Sequence, residues 1–223
     1  MRIDIVSANT KILECALSHG LTSRAIEKQF AEIHIHNLRE YAEGSYKQID
    51  DTPYGGGAGM ILKPEPIFKC VNKLKSERDY DEIIYFSPQG EIYEQKTANY
   101  YSLQKNIICI CGHYKGIDQR VIDVLVTKEI SIGNYVISCG DLAAYVFIDS
   151  VLRLIPGVLG DSESAITDSF QVEEIFDAPQ YTRPEEYEGH RVPDILLSGN
   201  HAKIREWREQ KAREKYDKIS KKG

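Results

Sequence analysis

Long apolar runs are missing from this sequence, and so is the basic-then-apolar opening of a secretory leader; the chain starts "MRIDIVSANT". Neither a membrane span nor export is therefore expected, and the cytoplasm is the expected compartment. Cysteine is sparse and odd in number, with five residues at Cys15, Cys70, Cys109, Cys111 and Cys139 and no Cys-x-x-Cys hook. That argues against a zinc ribbon and against a disulfide framework. Cys109 and Cys111 alternate in "NIICICGH", which predicts one face of a buried strand with both thiols reduced. His34 and His36 also alternate, but nothing beside them completes a metal site, so core or edge histidines and no metal are expected. The glycine-rich stretch has no Gly-Lys-Ser/Thr ending, and no Gly-x-Gly-x-x-Gly marks a strand-to-helix turn. A Gly-x-Ser-x-Gly elbow is absent too, which weakens a serine-hydrolase reading. No internal repeat is visible.

What is present suits one domain with a small appendage: 223 residues, 42% hydrophobic and 28% charged. The net charge of −6 disfavours indiscriminate nucleic-acid binding but hides an asymmetry. From His201 onward nine Lys/Arg stand against four Asp/Glu, so this end carries +5 and the preceding 200 residues carry −11. Such a basic end is either an RNA-contacting patch or a solvated terminal helix.

Strand and helix signals alternate through the first two-thirds. "RIDIV", "EIHIHNL", "EIIYFS", "NIICIC" and "KEISIG" read as strands, and "TKILECALSHG", "KPEPIFKCVNKLKSE", "EIYEQKTANYYSLQ" and "IDQRVIDVLV" as helices. Pro64 and Pro66 suit a first helical turn, and Asp118 suits an N-cap. The rhythm predicts an α/β fold with a mostly parallel sheet covered on both faces. In "DLAAYVFIDSVLRLIPG", Leu142, Tyr145, Val146 and Leu152 recur at helical spacing, Asp141 complements the dipole, and Pro156-Gly157 stops the helix. The polar "DSESAITDS" that follows reads as an interdomain linker, "APQYTRPEEYEGHRVPD" as turns, and a polar helix starts near His201 with Asn200 as its cap.

In an open α/β sheet ligands bind beyond the carboxyl ends of strands. "IIYFSPQG", "ICICGHYKGID" and "EISIGNYVISCGD" each end a strand with glycine beside an aromatic or small polar residue. Together they point to one pocket where backbone approaches a flat ligand. "DDTPYGGGAGM" adds four glycines within five positions, a plain surface loop or a further ligand loop. On spacing alone, Arg153 is a dipole-complementing cation and Asp168 a linker cap.

"DDTPYGGGAGM", "SPQG", "CGHYKGID", "SIGNYVIS", "IPGVLG", "DSF", "PQYTRP" and "VPDILLSGNH" occur in the order found in bacterial tRNA (guanine-N1)-methyltransferases, the TrmD family of the SPOUT superfamily, from Met1 to about Trp207. The resemblance implies a deep trefoil knot within residues 1–160, a linker over 161–172 and a helical tRNA-binding domain over 173–223. It implies a homodimer that moves a methyl group from S-adenosylmethionine to N1 of the guanosine 3′ of the anticodon, position 37 of the tRNA. The positions matching the family's cofactor site are Tyr85, Phe86, Ser87, Pro88, Gly112, Tyr114, Lys115, Ser131, Ile132, Gly133, Tyr135, Ile137, Gly140 and Ala143. Asp50, Tyr54, Gly59 and Asp177 match its RNA-facing residues, Asp168 its general base, and Arg153 the cation beside the purine O6. In the implied dimer Asp168 reaches the cofactor of the partner subunit.

Several positions depart from that family's pattern. His113-Tyr114-Lys115 stands where Arg-Tyr-Glu is usual, so Lys115 reverses a charge beside the ligand. Asn134, Cys139, Asp141 and Ala143 replace Asp, Gly, Glu and Pro, and "QVEEIFD" after "DSF" is one residue longer than usual. Cys139 places a side chain where the family keeps bare backbone, which narrows the pocket. The competing readings are a related enzyme acting at another RNA position and an RNA-binding scaffold without catalysis. A nucleotide-phosphate enzyme built on the glycine loop fits poorly, because no lysine or Mg²⁺-binding Ser/Thr follows it.

Overall fold

The structure, a computed structural model, describes residues 1–159 and 177–220. Asp168 and the expected linker at 161–172 lie outside the described residues. The chain divides into two compact units, Met1–Gly160 and Asp161–Gly223.

The first unit is built on five strands: β1 (Arg2–Ser7), β2 (Glu32–Asn37), β5 (Glu82–Ile92), β6 (Asn106–Cys111) and β7 (Lys128–Ser131), with β3 (Asp50–Asp51) and β4 (Ile61–Leu62) forming a separate small ladder. The sheet order is β2-β1-β6-β5-β7, and every neighbouring pair in it is parallel. β-Branched side chains alternate across it, because successive residues of a strand point to opposite faces. Ile3, Ile5, Ile84, Phe86, Ile107, Cys109, Cys111 and Ile130 enter one core. Val6, Ile83, Tyr85, Ile108 and Ile110 enter the other. Burying each such side chain stabilises the fold by about 1.5–3 kcal/mol. Cys109 and Cys111 thus share a buried face, and all five cysteines are free.

The helices are α1 (Thr10–Leu17), α2 (Gly20–Glu27), α3 (Pro64–Glu77), α4 (Gln95–Ser102), α5 (Gln119–Leu125) and α6 (Gly140–Leu152). α6 packs against α1, α2 and α4 over the first core, whereas α3 and α5 pack together over the second. Phe147 centres the first core, tilted against Phe86 and Tyr93 and edge-on to Tyr101. Asp118 caps α5 by accepting the Arg120 N–H at 3.0 Å, and Pro64 opens α3. The connection leading into β6 therefore runs over one face and the one leaving it over the other. Such a reversal opens a crevice at the carboxyl ends of the strands.

Two expectations need correction, and one helix went unforeseen. α2 carries no expectation from the sequence, since only Thr22 and Ala25 of "GLTSRAIE" are buried. The helix expected from Glu91 begins at Gln95, because β5 continues to Ile92 through a register shift between Phe86 and Glu91. Gly90 makes that possible: a Cβ there would stand 2.5 Å from the Glu129 carbonyl carbon on β7. In α6, Leu142 and Val146 are 42% and 46% exposed, and the buried face is Ala143, Ala144, Phe147, Ile148, Val151 and Leu152. Asp141 lies in the first turn of α6, as expected, but is almost wholly buried and also accepts the Ser7 hydroxyl at 2.5 Å, a fixed link between α6 and β1. His36 on edge strand β2 bonds the buried Asp4 at 2.7 Å, which gives that histidine a structural partner.

In the second unit a hairpin pairs Glu186–Tyr187 with His190–Arg191. Its two turn residues, Glu188 and Gly189, both have positive φ, as a tight two-residue hairpin needs. A short helix, Asp194–Leu197, precedes the long helix His201–Ser220, and the Asn200 side chain caps the latter by accepting the Lys203 N–H at 3.2 Å. Trp207 of the long helix lies tilted against Tyr181, 6.4 Å between ring centres.

Candidate active site

Beyond the carboxyl ends of β5, β6 and β7 the structure holds a cavity of about 390 Å³. All fourteen expected cofactor positions line it: Tyr85, Phe86, Ser87 and Pro88 from β5, Gly112, Tyr114 and Lys115 after β6, Ser131 at the end of β7 with Ile132, Gly133, Tyr135 and Ile137 after it, and Gly140 and Ala143 from the start of α6. His113, Gly116, Ile130, Val136, Ser138 and Cys139 complete the wall. The strand-end glycines, Gly116 among them, flagged this region and Cys139 was expected to narrow it, but nothing in the spacing singled out His113, Ile130, Val136 or Ser138.

The floor is a crossing of two chain segments. The Gly140 N–H donates to the Gly112 carbonyl at 2.7 Å, and His113 bridges Cys139 in antiparallel fashion. A Cβ on Gly140 would lie 2.7 Å from the Gly112 nitrogen and 3.1 Å from the Cys111 Cα, so only glycine lets these backbones meet. A Cβ on Gly112 would press the Tyr85 ring at 3.1 Å. Burial pushes the Tyr85 phenol up to about 12, with Glu129 adding to the shift, so it remains a neutral hydroxyl. Burial, reinforced by Asp141, also raises the Cys111 and Cys139 thiols. Neither supplies a thiolate at neutral pH.

The turn from His113 to Gly116 is closed by the Gly116 N–H on the His113 carbonyl at 3.0 Å. Tyr114 sits in it at φ 58°, a left-handed conformation that costs a non-glycine residue about 1 kcal/mol or more. The Nδ1 of His113 is buried without a partner among the described groups. No carboxylate stands among the described residues lining the cavity. A reaction here that removes a proton would pass it to the His113 imidazole in the wall or to a carboxylate from elsewhere in the chain or from a second copy.

The glycine loop is tied down at its end. The Lys115 N–H donates to the Met60 carbonyl, the Leu62 N–H to Gly116 and the Asp118 N–H to Leu62, each at 3.0 Å, so residues 60–62 run beside 115–118. Gly55, Gly56 and Gly57 have positive φ and open space where a Cβ would be. Their requirement is conformational, not one of packing. Tyr54 is fully exposed, Asp50 lies in β3, and Gly59 rests on the Lys115 stem.

Arg153 and Asp177 are not part of this cavity. Arg153 caps the carboxyl end of α6, its N–H bonded to the Asp149 carbonyl at 3.2 Å. Gly140 and Ala143 line the cavity at the other end, roughly 15–20 Å away along the helix axis at about 1.5 Å per residue. Asp177 accepts from the Gln180 amide at 3.3 Å within the second unit.

The family model for "tRNA (Guanine-1)-methyltransferase TrmD" matches residues 1–221. The chain belongs to this family. A tRNA (guanine-N(1)-)-methyltransferase of Christiangramia forsetii is 57% identical over 98% of this chain and 96% of its own. Those of Chlorobaculum tepidum and Bacteroides fragilis are each 53% identical over 96% of this chain and 93% and 95% of theirs.

Proposed function

We propose that this tRNA (guanine-N1)-methyltransferase uses S-adenosylmethionine to methylate N1 of the guanosine 3′ of the anticodon, as a cytoplasmic homodimer with a trefoil-knotted catalytic unit and a helical RNA-binding unit. The observation that carries the proposal is the cavity itself, built by glycine backbones crossing at the carboxyl ends of three parallel strands in a TrmD-family chain. Its bare floor and the apolar walls of Ile130, Ile132 and Ile137 fit a flat base and its sugar, and backbone amides there can meet polar edges. The crossing of 139–140 over 112–113 supports the knot.

When bound, S-adenosylmethionine supplies an electrophilic methyl carbon. Guanine N1 carries a proton and is not nucleophilic until that proton leaves, so a base is required. Asp168 takes it. The Arg153 guanidinium steadies the charge that grows on O6. The lack of a carboxylate among the described cavity residues supports an acceptor brought in from outside it. The distance of Arg153 from its own cavity supports a site completed by a second copy, and exposed Leu142, Val146 and Val136 give that copy an apolar face to cover. Tyr54 on the glycine loop offers a ring for a base drawn out of its stack. Arg183 and Arg208, lining a groove of the second unit, suit phosphates of the tRNA. No helix among the described residues is long and apolar enough to cross a membrane.

The deciding experiment is methyl transfer to an anticodon stem-loop carrying guanosine at the target position, against one with adenosine there. Methyl should appear on N1 of the first RNA alone. Equal transfer to both, or to neither, overturns the proposal.

A further inference from the structure

Lys115 occupies the seam between the cavity and the glycine loop. It lines the cavity, and its N–H holds the Met60 carbonyl at the end of the loop. Its side chain lies along the loop: a Cβ on Gly59 would meet Lys115 Cγ at 2.9 Å, Cε at 3.2 Å and Cδ at 3.3 Å. The aliphatic stem is thus laid against bare backbone, and this packing fixes where the ammonium can go. No carboxylate of the described residues is ion-paired with it. A cation held by its stem, on an exposed residue and without a counter-charge among the described residues, is prepared for an anion from outside.

The surroundings select the anion. The loop whose Gly59 meets the Lys115 stem also carries Gly55, Gly56 and Gly57, with open space at every missing Cβ, and the fully exposed ring of Tyr54. That loop can take a nucleotide backbone and a stacked base. Lys115 itself belongs to the cavity wall. A base turned into the cavity leaves its sugar and phosphate at the rim, beside Gly59 and the Lys115 head. We propose that Lys115 binds the RNA phosphate adjoining the target guanosine, and so positions the nucleotide as its base enters the cavity. The inference rests on the glycine loop facing RNA, as in the function proposed above.

The test uses the full-length chain with Lys115→Gln, which removes the charge while keeping the first part of the stem, and Lys115→Arg, which keeps the charge. Steady-state kinetics and tRNA binding are measured over a range of salt concentrations, and S-adenosylmethionine binding is measured by calorimetry without RNA. K115Q should raise the KM for tRNA by about tenfold and flatten the slope of log affinity against log salt by about 1, the signature of one lost phosphate contact. K115R should restore both. Lys115 also lines the cavity, so cofactor affinity is measured as the comparison: in K115Q the loss of affinity for tRNA should exceed the loss for cofactor, because a phosphate contact forms only when RNA arrives. An unchanged salt slope in K115Q overturns the inference, and so does a loss of cofactor affinity larger than the loss for tRNA. Failure of the wild-type protein to bind tRNA in the same titrations overturns the functional reading beneath it, a result distinct from a K115Q variant that binds as well as wild type.

Discussion

Replacing Gly140 by alanine tests whether a backbone crossing builds the cavity. The new Cβ would stand 2.7 Å from the Gly112 nitrogen, 3.1 Å from the Cys111 Cα and 3.2 Å from the Cys111 carbonyl carbon. All three are backbone atoms, so no side chain can swing aside. Overpacking of this kind costs about 1–3 kcal/mol. Separating the segments also weakens the 2.7 Å hydrogen bond from Gly140 to Gly112, worth about 0.5–1.5 kcal/mol. Against this, alanine is favoured over glycine within a helix by about 1 kcal/mol, and Gly140 opens α6 without a left-handed φ. The net expectation is a destabilisation of about 1–3 kcal/mol, read by urea unfolding. S-adenosylmethionine affinity, read by calorimetry, should fall by roughly tenfold or more as the floor lifts. Leu142→Ala, on the exposed side of the same helix, is the control and should change stability by less than about 0.5 kcal/mol in the isolated chain. A G140A protein with wild-type stability and wild-type cofactor affinity would refute the claim that the crossing shapes the cavity.

Asp4 is fully buried; burial alone would raise its carboxyl, but hydrogen bonds from His36, Arg2 and Tyr80 outweigh this and hold it well below its ordinary value of 3.8. Its stabilising share is therefore complete above about pH 5 and is lost as pH falls through and below 3.8, and Asp4→Asn should cost about 3 kcal/mol at neutral pH while flattening the acid limb of urea midpoint against pH. Tyr54→Ala should leave stability within about 0.5 kcal/mol, since the ring touches solvent only, yet weaken anticodon stem-loop binding by about 1–3 kcal/mol in a filter-binding assay. Asp168→Asn should abolish single-turnover methyl transfer and leave cofactor affinity near wild type; a surviving rate would mean another base operates, and His113 is the imidazole at hand in the cavity.

Much of the sheet was readable because β-branched runs in "RIDIV", "EIIYFS" and "NIICIC" are bounded by turn residues, and a parallel sheet gathers the carboxyl ends of its strands on one edge. Three glycine-bearing strand ends therefore pointed to one cavity before its shape was known. α2 escaped because a helix that buries little more than Thr22 and Ala25 leaves almost no apolar rhythm. The exposed face of α6 was misassigned for the opposite reason: a helix apolar nearly all round has no periodicity to tell Leu142 from Ala143. The Ser7–Asp141 bond joins residues 134 positions apart, and a local pattern carries no trace of such a partner. The same limit hid the packing of the Lys115 stem, which lies against a glycine more than fifty positions earlier. Arg153 was read correctly as a cation at a helix end; its separation from the cavity follows from which end of α6 that is.

The account stands or falls on a site shared between two copies, and mixed dimers measure this directly. One subunit carries Arg153→Ala with an intact cavity; the other carries a cavity-blocking Gly140→Val with Arg153 intact. Each homodimer should be inactive. If the cavity of one copy works with Arg153 of the other, the purified heterodimer holds one complete site and should methylate the stem-loop at roughly half the wild-type rate per dimer. A heterodimer as inactive as its parents would contradict the account, because it would place cavity and arginine in the service of the same chain.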